Sequence, residues 1–377
     1  MSKTADTKQL FQTFTFKNGI ETKNRIAMAP MTTWASNDDY TVSDDEIKHY
    51  QARSGNVGLV ITGCTRVMAN GIGFNNEYAS YDDSFLPSLK KLATAAKKGS
   101  APAILQIYHA GNKAVLDLIP DGIPVSASPV ALAPSMFYAG GTVSRELTHE
   151  EILEMIKAFG ETTHRAIKAG FDGIELHGAH GFLLQNFFSP YYNKRTDYWG
   201  GTAEKRMNFA VEVIKEIQNV IEKYADRPFM IGFRISPEEP ESYRVKDTFP
   251  LIDKLIDCGI DYLHISLADL LSQKPTDNEN EDATILNLIL NYVNQRVPVI
   301  AAGGIKQYND AIEALKTGLS LVAVGHGLII NPNWVELASN EEKADEALSL
   351  SKADELAVPK KLQEFIQVAT GFFQLTD

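Results

Sequence analysis

Short β-branched runs alternate with longer segments of helical periodicity eight times along this chain. A parallel strand pair cannot be closed by a tight turn, so alternation of this kind marks parallel strands joined by crossover helices. The strands read as 25–29, 57–62, 102–108, 173–177, 229–235, 262–266, 297–301 and 321–324, most of them apolar throughout, as strands buried on both faces should be. Helical periodicity falls at 44–53, 84–97, 148–169, 203–222, 249–257, 283–294 and 308–317. Thr148 with Glu151 reads as a capping box, and Gly99, Gly170, Gly259 and Gly318 stand at helix-to-strand turns. Eight such units close most economically as a (β/α)8 TIM barrel. A doubly wound sheet would want a glycine-rich turn after its first strand, and neither that fingerprint nor a phosphate-binding Gly-x-x-x-x-Gly-Lys loop occurs.

One barrel domain can absorb all 377 residues. The Pro-, Gly- and Ala-rich stretch 111–147 is too long for an ordinary strand–helix loop and is expected to cap the barrel mouth after strand 3. Residues 273–282 and the charged, helical-looking 341–354 read as solvated surface, and 340–377 as a C-terminal helical extension. With 44% hydrophobic residues, 18 Phe and 14 Tyr, the chain has the bulk for a large core. A net charge of -12 leaves no basic footprint for nucleic acid. Two cysteines, Cys64 and Cys258, make neither a disulfide framework nor a zinc or iron–sulfur pattern, which fits a reducing cytoplasm. The N-terminus lacks an apolar targeting core, and no run approaches the roughly 18 apolar residues of a membrane helix, so a soluble, untargeted protein is expected. Exterior helices leave a monomer and a homo-oligomer equally open.

Catalytic groups of a barrel gather where its strands end, and unusual polar residues stand there. Strand one runs into Pro30-Met31-Thr32, with Trp34 two residues on. Strand three carries Gln106, Tyr108 and His109, and strand four ends at His177-Gly178-Ala179-His180. Strand five contributes Arg234, and strand six His264. Strands seven and eight end in Gly303-Gly304 and Gly325-His326. The glycine turns either bind a phosphate or merely permit tight turns. Arg234 needs an anionic or carbonyl partner, for which an internal carboxylate is the plainer alternative. His177 and His180 lack a third metal ligand, so no metal is expected, and paired donors to a carbonyl or phenol oxygen fit them better.

These stretches resemble the Old Yellow Enzyme family of FMN-dependent oxidoreductases from about Asn24 to Trp334. The resemblance rests on residues 24–32, 106–111, 177–185 and 193–201, with Arg206, Arg234-Ile235-Ser236, Ala302-Gly303-Gly304 and Asn331-Pro332-Asn333-Trp334. It implies that Pro30, Met31, Thr32 and Gly63 line an FMN, with the Thr32 hydroxyl near N5. Gln106 would meet the pyrimidine edge and Arg234 the N1 side, while Gly303, Gly304, Gly325 and His326 would hold the phosphate. His177 and His180 would clamp the carbonyl of an α,β-unsaturated substrate. NADH or NADPH would reduce the same flavin, hydride passing through N5 with ping-pong kinetics.

Two departures stand out. Phe182 occupies the place where many family members have a proton-donating Tyr, so water, another phenol or a different reaction must stand in. Tyr108 is the substitute expected on strand parity, against the alternative of a core Tyr whose hydroxyl meets a backbone group. His326 replaces the family's usual phosphate-binding Arg, which implies looser FMN binding, and Trp34 implies a more apolar pocket floor. The function the resemblance implies is reduction of activated C=C bonds. The alternative is an FMN-binding NADH:flavin or quinone reductase, or a flavin-binding barrel without turnover. Iron–sulfur dienoyl reductases are excluded by the cysteine count, and a sugar-phosphate aldolase by the lack of a Schiff-base Lys or carboxylate pair at the strand ends.

Overall fold

Eight parallel strands close into a ring: β1 (Ile26–Met28), β2 (Leu59–Ile61), β3 (Ala103–Tyr108), β4 (Gly173–Gly178), β5 (Met230–Ile235), β6 (Tyr262–Ser266), β7 (Val299–Ala302) and β8 (Leu321–Val324). Each pairs with its neighbours in sequence, and β8 pairs back onto β1 through Val322–Ile26, Ala323–Ala27 and Val324–Met28, so no edge remains. The computed structural model describes residues 5–135, 138–240, 242–276, 283–369 and 371–376. Outside the ring lie α1 (Asp44–Arg53), α2 (Leu86–Ala96), α3 (His149–Ala169), α4 (Asn208–Tyr224), α5 (Val245–Asp257), α6 (Ile285–Val293) and α7 (Tyr308–Lys316). The architecture is the expected (β/α)8 barrel.

Alternation along each strand sorts its residues into two cores. Outward residues such as Leu105, Ile107, Ile174 and Leu176 join the helices in the larger core, and inward residues such as Ile104, Met230, Tyr262, Ile300 and Leu321 fill the barrel. Phe16, on the turn between the short strands Phe14–Thr15 and Glu21–Thr22, plugs the bottom against Tyr262. Helix starts follow the caps: Ser43 with Glu46 opens α1, and Thr148 with Glu151 opens α3. The fifth helix begins at Val245, earlier than the expected 249, because Asp247 closes back on the backbone N–H of Arg244 (2.9 Å).

The segment 111–147 caps the mouth after β3, with 3-10 turns at Gly111–Lys113 and Leu116–Leu118 and a parallel pairing of Val125–Ser126 with Arg145–Glu146. Of the polar run 273–282, residues 277–282 lie outside the described residues. After β8 come α8 (His326–Ile330) and α9 (Trp334–Asn340). The stretch 341–354 is not the helix its composition suggests. Glu341 ends α9 in the left-handed region, and only a 3-10 turn, Leu350–Lys352, follows. Two side-chain amides take over the backbone pairing there. Gln307 bonds both the N–H and the C=O of Ala344, and Asn331 does the same for Asp345. The chain then forms α10 (Lys360–Val368). No helix among the described residues is long and apolar enough to cross a membrane.

Candidate active site

Above its apolar floor the barrel interior turns polar. Gln106 on β3, Glu175 on β4, Arg234 on β5 and His264 on β6 all occupy inward positions in adjoining strands. The Gln106 amide donates to Glu175 (2.7 Å), and His264 Nδ1 bonds the other carboxylate oxygen (2.9 Å). Burial pushes the Glu175 carboxyl up, but His264 and Arg234 outweigh it and hold it below the ordinary value, so it is ionised. Burial likewise lowers His264 below the ordinary histidine range. Arg234 and Glu175 feel each other's charge, but no direct ion pair joins them among the described residues, so the internal-carboxylate alternative for Arg234 is met only at a distance. Arg234 donates through Nη2 to Ser266 Oγ (3.1 Å), and its Nε is buried without a partner.

Over this layer lies a cavity of ≈ 260 Å³. Pro30, Met31, Thr32, Trp34, Gln106, His177, His180, Phe182, Arg234 and His326, scattered over nearly 300 positions of sequence, all line it. His177 accepts the Ala179 N–H at Nδ1 (3.4 Å), which leaves Nε2 as its donor. His180, in a left-handed conformation (φ 60°), bonds Ser266 Oγ through Nε2 (2.8 Å). If the Ser266 hydroxyl, which accepts from Arg234, donates onward to His180, the remaining proton sits on His180 Nδ1. Burial and the nearby Arg234 charge hold His177 well below the ordinary histidine range; His180, although solvent-exposed, is shifted in the same direction by desolvation among its protein neighbours and by Arg234.

Five expected site residues lie off the cavity wall. Tyr108 is fully buried, its hydroxyl donating to Glu77 (2.5 Å) and accepting the Gly73 N–H (2.9 Å). Burial and the Glu77 charge push that phenol far above its ordinary value. Strand parity does set Tyr108 on the inner face, ring centroid 6.0 Å from His177, but it is not among the residues lining the cavity, and its hydroxyl is committed to Glu77 and Gly73. Gly63 is a close-approach position: a Cβ would stand 2.4 Å from the Met31 carbonyl oxygen. Its own N–H and C=O are taken by Tyr50 and Tyr78. Gly303, Gly304 and Gly325 end the adjacent strands β7 and β8. Gly303 requires glycine, because a Cβ would meet the Leu267 carbonyl oxygen at 2.5 Å. His326 stacks on Phe373 (4.1 Å), and desolvation lowers its pKa.

The model of the NADH:flavin oxidoreductase / NADH oxidase family matches residues 9–345. The chain belongs to this family, the Old Yellow Enzyme family. Over 374 residues it is 40% identical to the Bacillus subtilis protein YqiG, named a probable NADH-dependent flavin oxidoreductase, covering 98% of this chain and 99% of that one. It is 39% identical to the NADH:acrylate oxidoreductase of Vibrio harveyi, covering 95% of this chain but only 36% of that much longer protein. Among solved structures, the old yellow enzyme homologue from Zymomonas mobilis has the same fold, with a TM-score of 0.77 at 21% identity over 95% of this chain and 99% of that one.

The cavity suits the family's flavin on its own chemistry. An isoalloxazine has a polar pyrimidine end and an apolar dimethylbenzene end. The lining likewise holds polar groups, Gln106, Arg234 and Thr32, and an apolar set, Met31, Ile329, Leu362, Phe372 and Phe373, that packs together as one cluster. The unpaired Arg234 Nε is a buried donor lacking an acceptor, which a ring carbonyl would supply. Several lining residues escaped sequence reasoning. Cys64 follows β2 and lies 3.6 Å from Thr32 Oγ1, its thiol pushed up by burial and therefore protonated. Its position at a strand end was a usable signal. Phe74, Leu362, Phe372 and Phe373 carried none, since only tertiary folding brings them to the mouth.

Proposed function

We propose that this protein is an FMN-dependent oxidoreductase that uses NADH or NADPH to reduce the C=C bond of α,β-unsaturated carbonyl compounds. Bound FMN would accept a hydride from the nicotinamide and deliver it through N5 to the β-carbon, one open face serving both partners in turn. Gln106 and Arg234 would hold the polar end of the flavin, Pro30, Met31 and Thr32 its ring, and the turns at Gly303, Gly304 and Gly325 with His326 its phosphate. The observation that carries the reading is the imidazole pair. His177 and His180 both line the cavity, and each has one ring nitrogen engaged by the protein, Nδ1 of His177 by the Ala179 N–H and Nε2 of His180 by Ser266 Oγ. Two such imidazoles, each donating from its other ring nitrogen, would suit a carbonyl oxygen that gains negative charge as hydride arrives.

A second reading has its own support. Phe182 cannot donate a proton, and the Tyr108 hydroxyl is committed to Glu77. An acceptor that needs no protonation at carbon from a side chain, such as a quinone or free flavin, would suit this site. The experiment is an anaerobic absorbance trace: FMN-loaded protein is bleached with NADH or NADPH, then cyclohexenone is added. Colour returning with the enone supports alkene reduction. Colour returning only with quinone or oxygen sinks it and leaves the reductase reading.

A further inference from the structure

The C-terminal segment returns to its own barrel and seals one end of the cavity. Leu362 on α10 and the pair Phe372–Phe373 line it directly, beside His326 and Ile329. Phe365 stacks on Trp34 at 3.9 Å, and Phe372 meets the same indole edge-on at 6.2 Å. Trp34 itself is held with a positive φ (48°), unusual for so bulky a residue, which turns its ring toward the tail. Ile329, Leu348, Val358, Leu362, Ile366 and Phe373 form an apolar cluster separate from the barrel core, and Met31 and Trp34 of the β1 loop pack onto it.

Polar contacts fix the tail in place. Buried Arg53 at the end of α1 donates to the carbonyls of Leu328 and Ile329 on one side and of Leu356 and Ala357 on the other. Lys361 reaches the Ser36 carbonyl (2.9 Å) and Asn76 (3.0 Å), and the Leu348 N–H bonds the Gln374 carbonyl (2.8 Å). The segment thus brings the apolar cluster of Leu362, Phe372 and Phe373 to the cavity wall.

We propose that residues 360–369 and 371–376 are a cofactor clasp acting in cis: Leu362, Phe372 and Phe373 cover the dimethylbenzene end of FMN and retain it. The clasp offsets what His326 loses as a phosphate ligand, and it rests on the FMN reading above. Coupling between cofactor and tail must be reciprocal, so what holds FMN is in turn held by it.

Two measurements on the full-length holoprotein test this. FMN release is followed by the fluorescence of freed flavin in wild type and in the Phe372→Ala/Phe373→Ala double variant, with release at least tenfold faster expected in the variant. Hydrogen exchange of the wild-type clasp is compared with and without FMN, slower exchange with FMN being expected, and this arm stands even where the variant does not fold. Unchanged release from a folded variant, or tail exchange indifferent to FMN, overturns the clasp. Wild-type protein that takes up no FMN overturns the flavin reading itself, a distinct result.

Discussion

Tyr108, Phe182 and His177 form one aromatic corner, with the Tyr108 and His177 rings each 4.9 Å from Phe182. Within that corner only the imidazole has a polar atom open to the cavity. Tyr108 instead serves Glu77, whose carboxyl burial pushes up to about 7. Tyr108→Phe would strip a donor from this buried group, costing about 1–3 kcal/mol of stability in urea unfolding, while acceptor reduction stays within a few-fold of wild type. A loss of a hundredfold or more in turnover without loss of stability would reinstate Tyr108 as proton donor. A second residue-scale expectation concerns His326. Desolvation lowers its pKa, so without a ligand its ring carries little charge near neutral pH, and a guanidinium would be the stronger phosphate ligand. His326→Arg restores a permanent cation and should lower the FMN dissociation constant several-fold in a fluorescence titration. An unchanged constant would place the phosphate away from residue 326.

At the scale of elements, Arg53 links three pieces of chain that meet nowhere else in sequence: the end of α1, the α8 segment and the C-terminal run before α10. Its guanidinium satisfies carbonyls that Arg53→Met would leave bare in the interior. A loss of about 3 kcal/mol or more is expected in urea unfolding, and a loss under about 1 kcal/mol would mean those carbonyls find other partners. The barrel strands were legible because each is buried on both faces, which writes a continuous β-branched run. Helix α1 was legible because Ser43 and Glu46 announce its start. The stretch 341–354 misled because its backbone is satisfied by Gln307 and Asn331, which lie outside it and leave no local periodicity. The site split the same way. Strand ends predicted Gln106, His177 and Arg234, since strand position alone fixes where they point. Parity also placed the Tyr108 ring, but the direction of its hydroxyl depends on Glu77, supplied by a loop. The tail phenylalanines depend on how the last residues fold back.

For the whole molecule, the distribution of histidines sets the response to acid. Of eight, seven are shifted below the ordinary range, chiefly by burial, with His109 pushed down to about 3. Unfolding frees these rings to bind protons below about pH 6.5. The unfolded chain then binds more protons than the native one, so stability rises with pH up to that point and is lost as pH falls. Glu46 and Glu77 work the other way, since burial raises both to about 7 and the native state holds their protons between roughly pH 4.5 and 7. Burial raises Glu239 and Asp261 as well, the latter to about 6, so seven imidazoles stand against four carboxyls and the histidine sign still prevails. Urea unfolding of the apoprotein at pH 5 should therefore give a free energy at least about 2 kcal/mol below that at pH 7, the worth of roughly one and a half pKa units on one ring. Glu77→Gln should widen the gap by removing an opposing carboxyl. A flat profile in wild type would mean that the native interior admits charged imidazoles, which would also undercut His177 as a neutral donor of the site.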